Sequence, residues 1–258
     1  MPAADFTLAS QYIQHIGDQV AAKGVAVPLW LQQSGLPGNW LDEPAHSITL
    51  PVFERLVGEA ISMTREPAIG LLVGERLLVN THGMLGYAAM SSVTIRQMLE
   101  LFEHFIRLRI ALITARHEVH DDEVRLRFTE VLPLGDIRRP VLECVLLAVK
   151  NVLDFITMGS CRLGYVAFPF ERPDYGVLAE GLFKCEVRYG QSWAGFSLPP
   201  DQLDTPLKMA DPAAFQEAAL ICRRELDKLS ANESLSARVQ RVLLEKQNGF
   251  PSLAVTAR

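Results

Sequence analysis

Long hydrophobic runs are missing from this chain of 258 residues. Its most apolar stretch, residues 145–158, is cut by Lys150 and Asp154. A membrane-spanning helix needs about 18 or more nearly uninterrupted apolar residues, so no membrane partner is expected. The first residues lack a basic flank and an apolar core, and Asp5 comes early, so no secretory leader is expected. Cysteine is scarce. Cys144, Cys161, Cys185 and Cys222 form no CxxC pair and no zinc-type spacing, which predicts half-buried free thiols in a reducing cytoplasm. Catalytic signatures are missing as well: there is no GxSxG, P-loop, GxGxxG, HExxH or EF-hand pattern. The glycine-flanked segments at 70–74 (GLLVG) and 83–86 (GMLG) have apolar interiors, which suit close packing better than phosphate binding. No nucleophile, base and orienting group assemble from spacing, so the chain is expected not to be an enzyme and to need no cofactor.

An excess of positive charge is absent from the chain as a whole. Its formal net charge is −5, which argues against a nucleic-acid-binding surface over its full length. The distribution is uneven, however. From Ser234 onward Arg238, Arg241, Lys246 and Arg258 stand against Glu245 alone, a net of +3 that leaves −8 to the rest. An acidic body carrying a basic tail hints at the nature of the chain beyond that tail.

What is present reads as a folded chain, with 49% hydrophobic and 21% charged residues. Tyr12, Ile13, Ile16 and Val20 fall at helical spacing, with Gly24 as a stop. A short helix is predicted at 29–33. Pro51 opens a third, with Val52, Phe53, Leu56, Val57, Ala60 and Ile61 on one stripe. Pro67 closes it and opens another short helix through Leu72. Residues 83–89 read as a strand, and 94–108 as an amphipathic helix. Residues 111–120 and 123–131 read as a hairpin turned at Asp121-Asp122. Val124, Leu126 and Phe128 alternate there with Arg125, Arg127 and Thr129, predicting one wet face. Pro140 opens a long helix to about Met158. Strands are predicted at 162–168, 185–189 and 192–198, with a helix at 174–183 between the first two. The fold class is α+β: N-terminal helices, then a largely antiparallel sheet with packed helices, then C-terminal dimerisation or linker helices.

Several residues are candidates for function. His117 and His120 flank acidic residues near the hairpin tip, but positions three apart on a strand face opposite ways, so no metal site is expected. His117 itself lines a pocket or is a satisfied core histidine. Arg107 and Arg109 end the helix begun at Thr94. There they either complement the helix dipole or pair with a carboxylate ligand. Tyr87, Tyr165, Phe168, Phe170, Trp193 and Phe196 lie on or beside predicted strands, as core or as cavity lining. Phe215, Ala219, Cys222, Leu226 and Leu229 step by four and three. That seam fits a dimerisation helix or a helix docked on its own domain. Ser234 is a plausible cap for a helix to about Gln247, and 253–258 read as the opening of a further helix cut at its start.

Three segments together resemble a known family. Residues 81–109, THGMLGYAAMSSVTIRQMLELFEHFIRLR, resemble the N-terminal effector-binding, arabinose-binding-like domain of AraC/XylS-type transcriptional regulators. Residues 183–211, FKCEVRYGQSWAGFSLPPDQLDTPLKMAD, are similar to a second signature of that family, and 67–74, PAIGLLVG, to a third. The tail GFPSLAVTAR resembles the start of its first helix-turn-helix unit. The resemblance implies three parts: an effector-binding domain over 1–210, a dimerisation helix and linker over 211–233, and the beginning of a truncated DNA-binding domain over 234–258. It implies a cytoplasmic bacterial homodimer that senses a small molecule, whether a carboxylate, fatty acid, amino acid or sugar. DNA would be contacted only through the domain beyond Arg258. Ligand-binding residues are then expected among Tyr87, Arg107, Arg109, His117, Tyr165, Phe168 and Trp193. The alternative is a dimerisation or interaction module with no small-molecule effector.

Overall fold

The computed structural model describes residues 10–42 and 48–231. Helices α1 (Ser10–Ala22), α2 (Val27–Gln33), α3 (Leu50–Thr64) and α4 (Ile69–Arg76) come first. The stripe on α1 is buried at Tyr12, Ile13, Ile16 and Val20. Pro51 sits in the first turn of α3, where its missing N–H costs nothing. Trp30 on α2 is fully buried and donates its indole N–H to the Leu56 carbonyl at 2.9 Å. That bond ties α2 to α3 without leaving a buried donor unpaired.

Next come α5 (Gly83–Met90), α6 (Ile95–Phe105), β1 (Ile113–Val119), β2 (Val124–Glu130) and α7 (Arg138–Ile156). They are followed by β3 (Tyr165–Ala167), α8 (Gly176–Phe183), β4 (Glu186–Arg188), β5 (Ala194–Leu198) and α9 (Pro212–Ala231). The sheet order is β1-β2-β5-β3-β4. Every pairing is antiparallel except β3 with β4, the pair that α8 connects, because parallel neighbours need a crossover. The hairpin register sets Val119 opposite Val124. Val124, Leu126 and Phe128 are buried while Arg125 and Arg127 are half-exposed, so the sheet has the expected wet face. All five residues of β5 are buried, as befits the central strand.

Three sequence expectations need correction. Residues 83–89 form a helix, not a strand. Leu85, Ala88 and Ala89 are its buried face, and a short run that is apolar throughout carries no alternation to reveal its period. Tyr87 therefore stands on a helix, 46% exposed. The helix expected to end at Arg107 and Arg109 stops at Phe105. Thr94 caps its start by accepting from the Gln97 N–H at 3.2 Å, and Arg107 lies in a 3-10 turn over Ile106–Leu108. The strand expected at 162–168 is only Tyr165–Ala167. The helix expected at 234–247 and the further one at 253–258 lie outside the described residues.

Helix α7 runs through the middle and is buried on almost every side. Its crossing with α4 is unusually close. A Cβ on Gly70 would fall 2.3 Å from the Pro140 carbonyl oxygen, and one on Gly74 would fall 2.8 Å from that of Cys144. The GLLVG segment is thus a flat helix face on which α7 lies. Helix α9 packs against α5 and α6. Cys222 is fully buried, and Phe215, Ala219 and Leu226 are partly buried against the same core. Most of the predicted seam therefore faces the chain's own domain, whereas Leu229 is 37% exposed.

The interior also holds ionisable groups. Lys150 on α7 is 4% exposed and pairs with Asp154 one turn on. Glu143, 1% exposed, accepts from the Tyr175 hydroxyl at 3.0 Å. Arg139, which lies over the Tyr175 ring at 5.7 Å, Tyr189 and Cys144 also bear on this cluster. Burial pushes the Glu143 carboxyl up to about 7, against the pull of Tyr175 and Arg139.

This packing can be tested at two places. Gly70→Ala forces α4 and α7 apart, at a cost of about 1–3 kcal/mol and a fall of several degrees in melting temperature. Gly58→Ala is the control. It lies within α3 with nothing within 4 Å of the new Cβ, and gains about 0.5–1 kcal/mol. Equal effects of the two would contradict the close crossing. For Glu143, the folded chain holds a proton that the unfolded chain releases near 4.5. Its contribution is complete below that pH and is lost as pH rises through about 7. Between pH 5.5 and 8.5, Glu143→Gln should therefore lose about 2 kcal/mol less stability than the parent chain. Denaturant titrations at the two pH values check this, and identical losses would contradict it.

Candidate functional site

A cavity of about 120 Å³ lies between α7 and the first helices. That is close to the ~150 Å³ apolar cavity that admits benzene in an engineered protein. Pro140, Val141, Cys144, Val145, Ala148, Val149 and Val152 of α7 form one wall. Residues of α1, α3 and α4 face them, with Phe53, Val57, Ile69 and Val73 prominent. The remaining side comes from Leu85 of α5, Phe102 of α6, and the turn carrying Ile106, Arg109 and Ile110. The adjacent pairs Pro140-Val141, Cys144-Val145 and Ala148-Val149 recur every four residues, so a single helix face supplies the wall. Gly70 belongs to the same lining, and the crossing at Gly70 and Gly74 fixes the distance between walls.

Three polar side chains interrupt this lining: Tyr12, His82 and Arg109. The Tyr12 hydroxyl lies 3.1 Å from His82 Nδ1, and the two rings stack 6.2 Å apart. Burial drives His82 down to about 4, with the Arg109 charge adding to the effect. Burial pushes Tyr12 up to about 12. Both groups are neutral at physiological pH. Arg109 is the one charged residue of the lining among the described residues, and its side chain is 17% exposed. Its Nη2 is 3.8 Å from Glu225 Oε2 on α9, too long for a hydrogen bond. Its Nε is buried and has no hydrogen-bond partner among the described residues. Gly83, at φ 56°, makes room for this group, since a Cβ there would come within 3.2 Å of Nη2.

The candidate ligand residues are dispersed. Arg109 lines the cavity and Arg107 does not. Tyr87 is on the exposed side of α5. His117 places Nδ1 2.8 Å from Glu103 Oε1, and that bond raises its pKa. Tyr165 and Trp193 meet edge to face on the sheet, 6.1 Å apart, with Arg188 3.7 Å above the Tyr165 ring. Phe168 is fully buried and packs on Phe170, Phe183 and Tyr189. Sequence reasoning misses Tyr12 and His82. Tyr12 is hidden in an apolar helical stripe, and His82 is marked only by standing next to Gly83. Among the described residues no group of three His, Cys, Asp or Glu is placed to hold a metal ion. No helix among them is long and apolar enough to cross a membrane.

Comparison with known proteins places this geometry. Residues 24–207 match the family model described as the arabinose-binding domain of AraC transcription regulators, at their N-terminus. The ornithine utilization regulator of Pseudomonas aeruginosa is 28% identical over 247 residues, which cover 96% of this chain and 73% of that protein. The HTH-type transcriptional regulator VqsM of the same species is 23% identical over 196 residues, covering 73% of this chain and 60% of that protein. The crystal structure of the transcriptional regulator CdpR from Pseudomonas aeruginosa shares the fold, with a TM-score of 0.60 at 20% identity over 95% of this chain and 73% of that one. The first of these relatives is named as a regulator and the other two as transcriptional regulators. With its matching region covering most of its length, the chain belongs to the family of N-terminal arabinose-binding domains of AraC-type transcription regulators.

Proposed function

We propose that this chain is the effector-sensing part of a cytoplasmic AraC-type regulator and catalyses no reaction. A small molecule occupies the cavity beside α7, and its presence is passed to α9. The observation that carries this reading is the placement of the cavity. Leu85 of α5 and the turn at Ile106–Arg109 line it, and both α5 and that turn pack against α9. Filling the cavity in one arrangement of these elements and not in another would shift the balance between two states. The division of labour is then 1–210 for the effector, 211–233 for the output helix and linker, and 234–258 for the entry to a DNA-binding domain. The chain acts as a homodimer. Because most of the seam on α9 faces the domain's own core, the outer side of that helix, where Leu220 is 50% exposed, is the surface left for a second copy.

The name of the first relative attaches it to ornithine utilization. The cavity here offers a cation to a carboxylate, but among the described residues no acidic side chain lines it to receive an ammonium group. A diamino acid is therefore a poor match to this lining, since an unpaired buried charge is costly.

A thermal-shift screen of small molecules on the 258-residue chain tests the reading. A ligand at about 100 times its Kd adds roughly 2.7 kcal/mol, a rise of several degrees. Ala148→Phe fills the cavity from the α7 wall and should abolish that rise while the variant still melts cooperatively. A shift that survives unchanged in the variant would place the ligand elsewhere.

A further inference from the structure

The Arg109 guanidinium is arranged as half of an unfinished interaction. Of the donors on the edge formed by Nε and Nη2, Nε has no partner among the described residues. Nη2 reaches only to Glu225, at 3.8 Å. That edge is the one a carboxylate occupies in two-point pairing. Arg96 shows the satisfied form within the same molecule: its Nε and Nη2 hold both oxygens of Asp204 at 2.7 and 2.8 Å. Lys150, buried on α7, also has its carboxylate, Asp154, and Arg139, whose Nε is likewise unpartnered among the described residues, lies over the Tyr175 ring with Glu143 nearby. Arg109 differs from all three in standing at the border of an apolar cavity with a loosely held partner. Beside it are two hydrogen-bonding groups, Tyr12 and His82, that bring no competing negative charge.

Resting on the effector reading above, we propose that the effector is a small monocarboxylate with an apolar body. Its carboxylate seats on the Nε–Nη2 edge of Arg109, and its body fills the space between α7 and α4. Glu225 is the group displaced. An incoming carboxylate at hydrogen-bond distance outcompetes one at 3.8 Å, so Arg109 turns from α9 to the ligand. The contact between the cavity and α9 is thereby exchanged rather than merely strained, and the reading gains a specific relay. Without such a partner a carboxylate would not enter an apolar cavity, because burying an unpaired charge is costly. Charge-assisted pairing to a guanidinium supplies what an alcohol of the same shape cannot obtain.

Calorimetric titration of the 258-residue chain with octanoate, 1-octanol and octylamine tests this. Octanoate should bind about ten- to a hundredfold more tightly than octanol, the range expected of one charged hydrogen-bonded contact, and octylamine should bind weakest. Arg109→Gln should bring octanoate down to the level of octanol. Glu225→Gln, a change at a half-exposed position, should tighten octanoate and leave octanol unchanged, because it removes the competitor alone. Amide exchange in α9 should quicken with octanoate and not with octanol. If octanol binds the parent chain as well as octanoate does, the carboxylate assignment falls while the cavity reading stands. If none of the three binds, the apolar cavity has no part in sensing and both fall. If Glu225→Gln leaves octanoate binding unaltered, the exchange of partners is wrong.

Discussion

Where α4 crosses α7, backbone meets backbone. Gly70 and Gly74 stand where any side chain would strike the Pro140 and Cys144 carbonyls. Close-packed interiors tolerate few voids, and this crossing decides where one remains. With α4 drawn in so tightly at one level, the larger residues of α1, α3 and α6 meet α7 around a space instead of across it. Seven residues of α7 then face that space, while Glu143 on another face of the same helix reaches Tyr175. One helix thus divides an apolar cavity from a polar cluster.

Charge is distributed in keeping with that division. Buried ionic groups persist when paired and hydrogen-bonded, as Lys150 with Asp154 and Glu143 with Tyr175 are. Arg109 is only half committed, with Glu225 beyond hydrogen-bond reach and Nε unpartnered among the described residues. Its neighbours are held neutral by burial, and in the case of His82 by Arg109 itself. The domain therefore sets a positive group at the edge of a space that, among the described residues, no carboxylate lines. The same group lies 3.8 Å from Glu225 of α9, so it stands between the border of the cavity and that helix.

Much of the architecture is legible in the sequence because its periods are strong. The stripe on α1, the alternation of Val124, Leu126 and Phe128, and the long apolar helix after Pro140 each have one reading. The segment at 83–89 misleads because it is apolar on all sides, and only its tertiary neighbours make it a helix. The same limit applies to the site. Arg109 stands out by its place beside apolar segments, and the close-packing role of GLLVG by its composition. Tyr12 and His82 are about seventy residues apart in sequence, and only the packing of α1 against the turn before α5 brings them together. Tyr165, Trp193 and Phe168 attract notice as aromatics on strands, but a strand pattern does not say which side of a sheet faces a cavity. The space lies among helices, and Tyr165, Trp193 and Phe168 are not part of its lining. The seam on α9 has two readings of equal weight in sequence, and the burial of Cys222 against the domain's own core is a tertiary fact that the spacing alone does not carry.

Whether a carboxylate ligand and Arg109 meet inside the cavity beside α7 is decided by a crystal structure of the 258-residue chain grown with octanoate. The octanoate carboxylate should lie on the Nε–Nη2 edge of Arg109, its chain along Val145 and Ala148, with Glu225 withdrawn from the guanidinium. Octanoate bound with its carboxylate away from Arg109, or a cavity left empty while Arg109 still faces Glu225, would rule the pairing out.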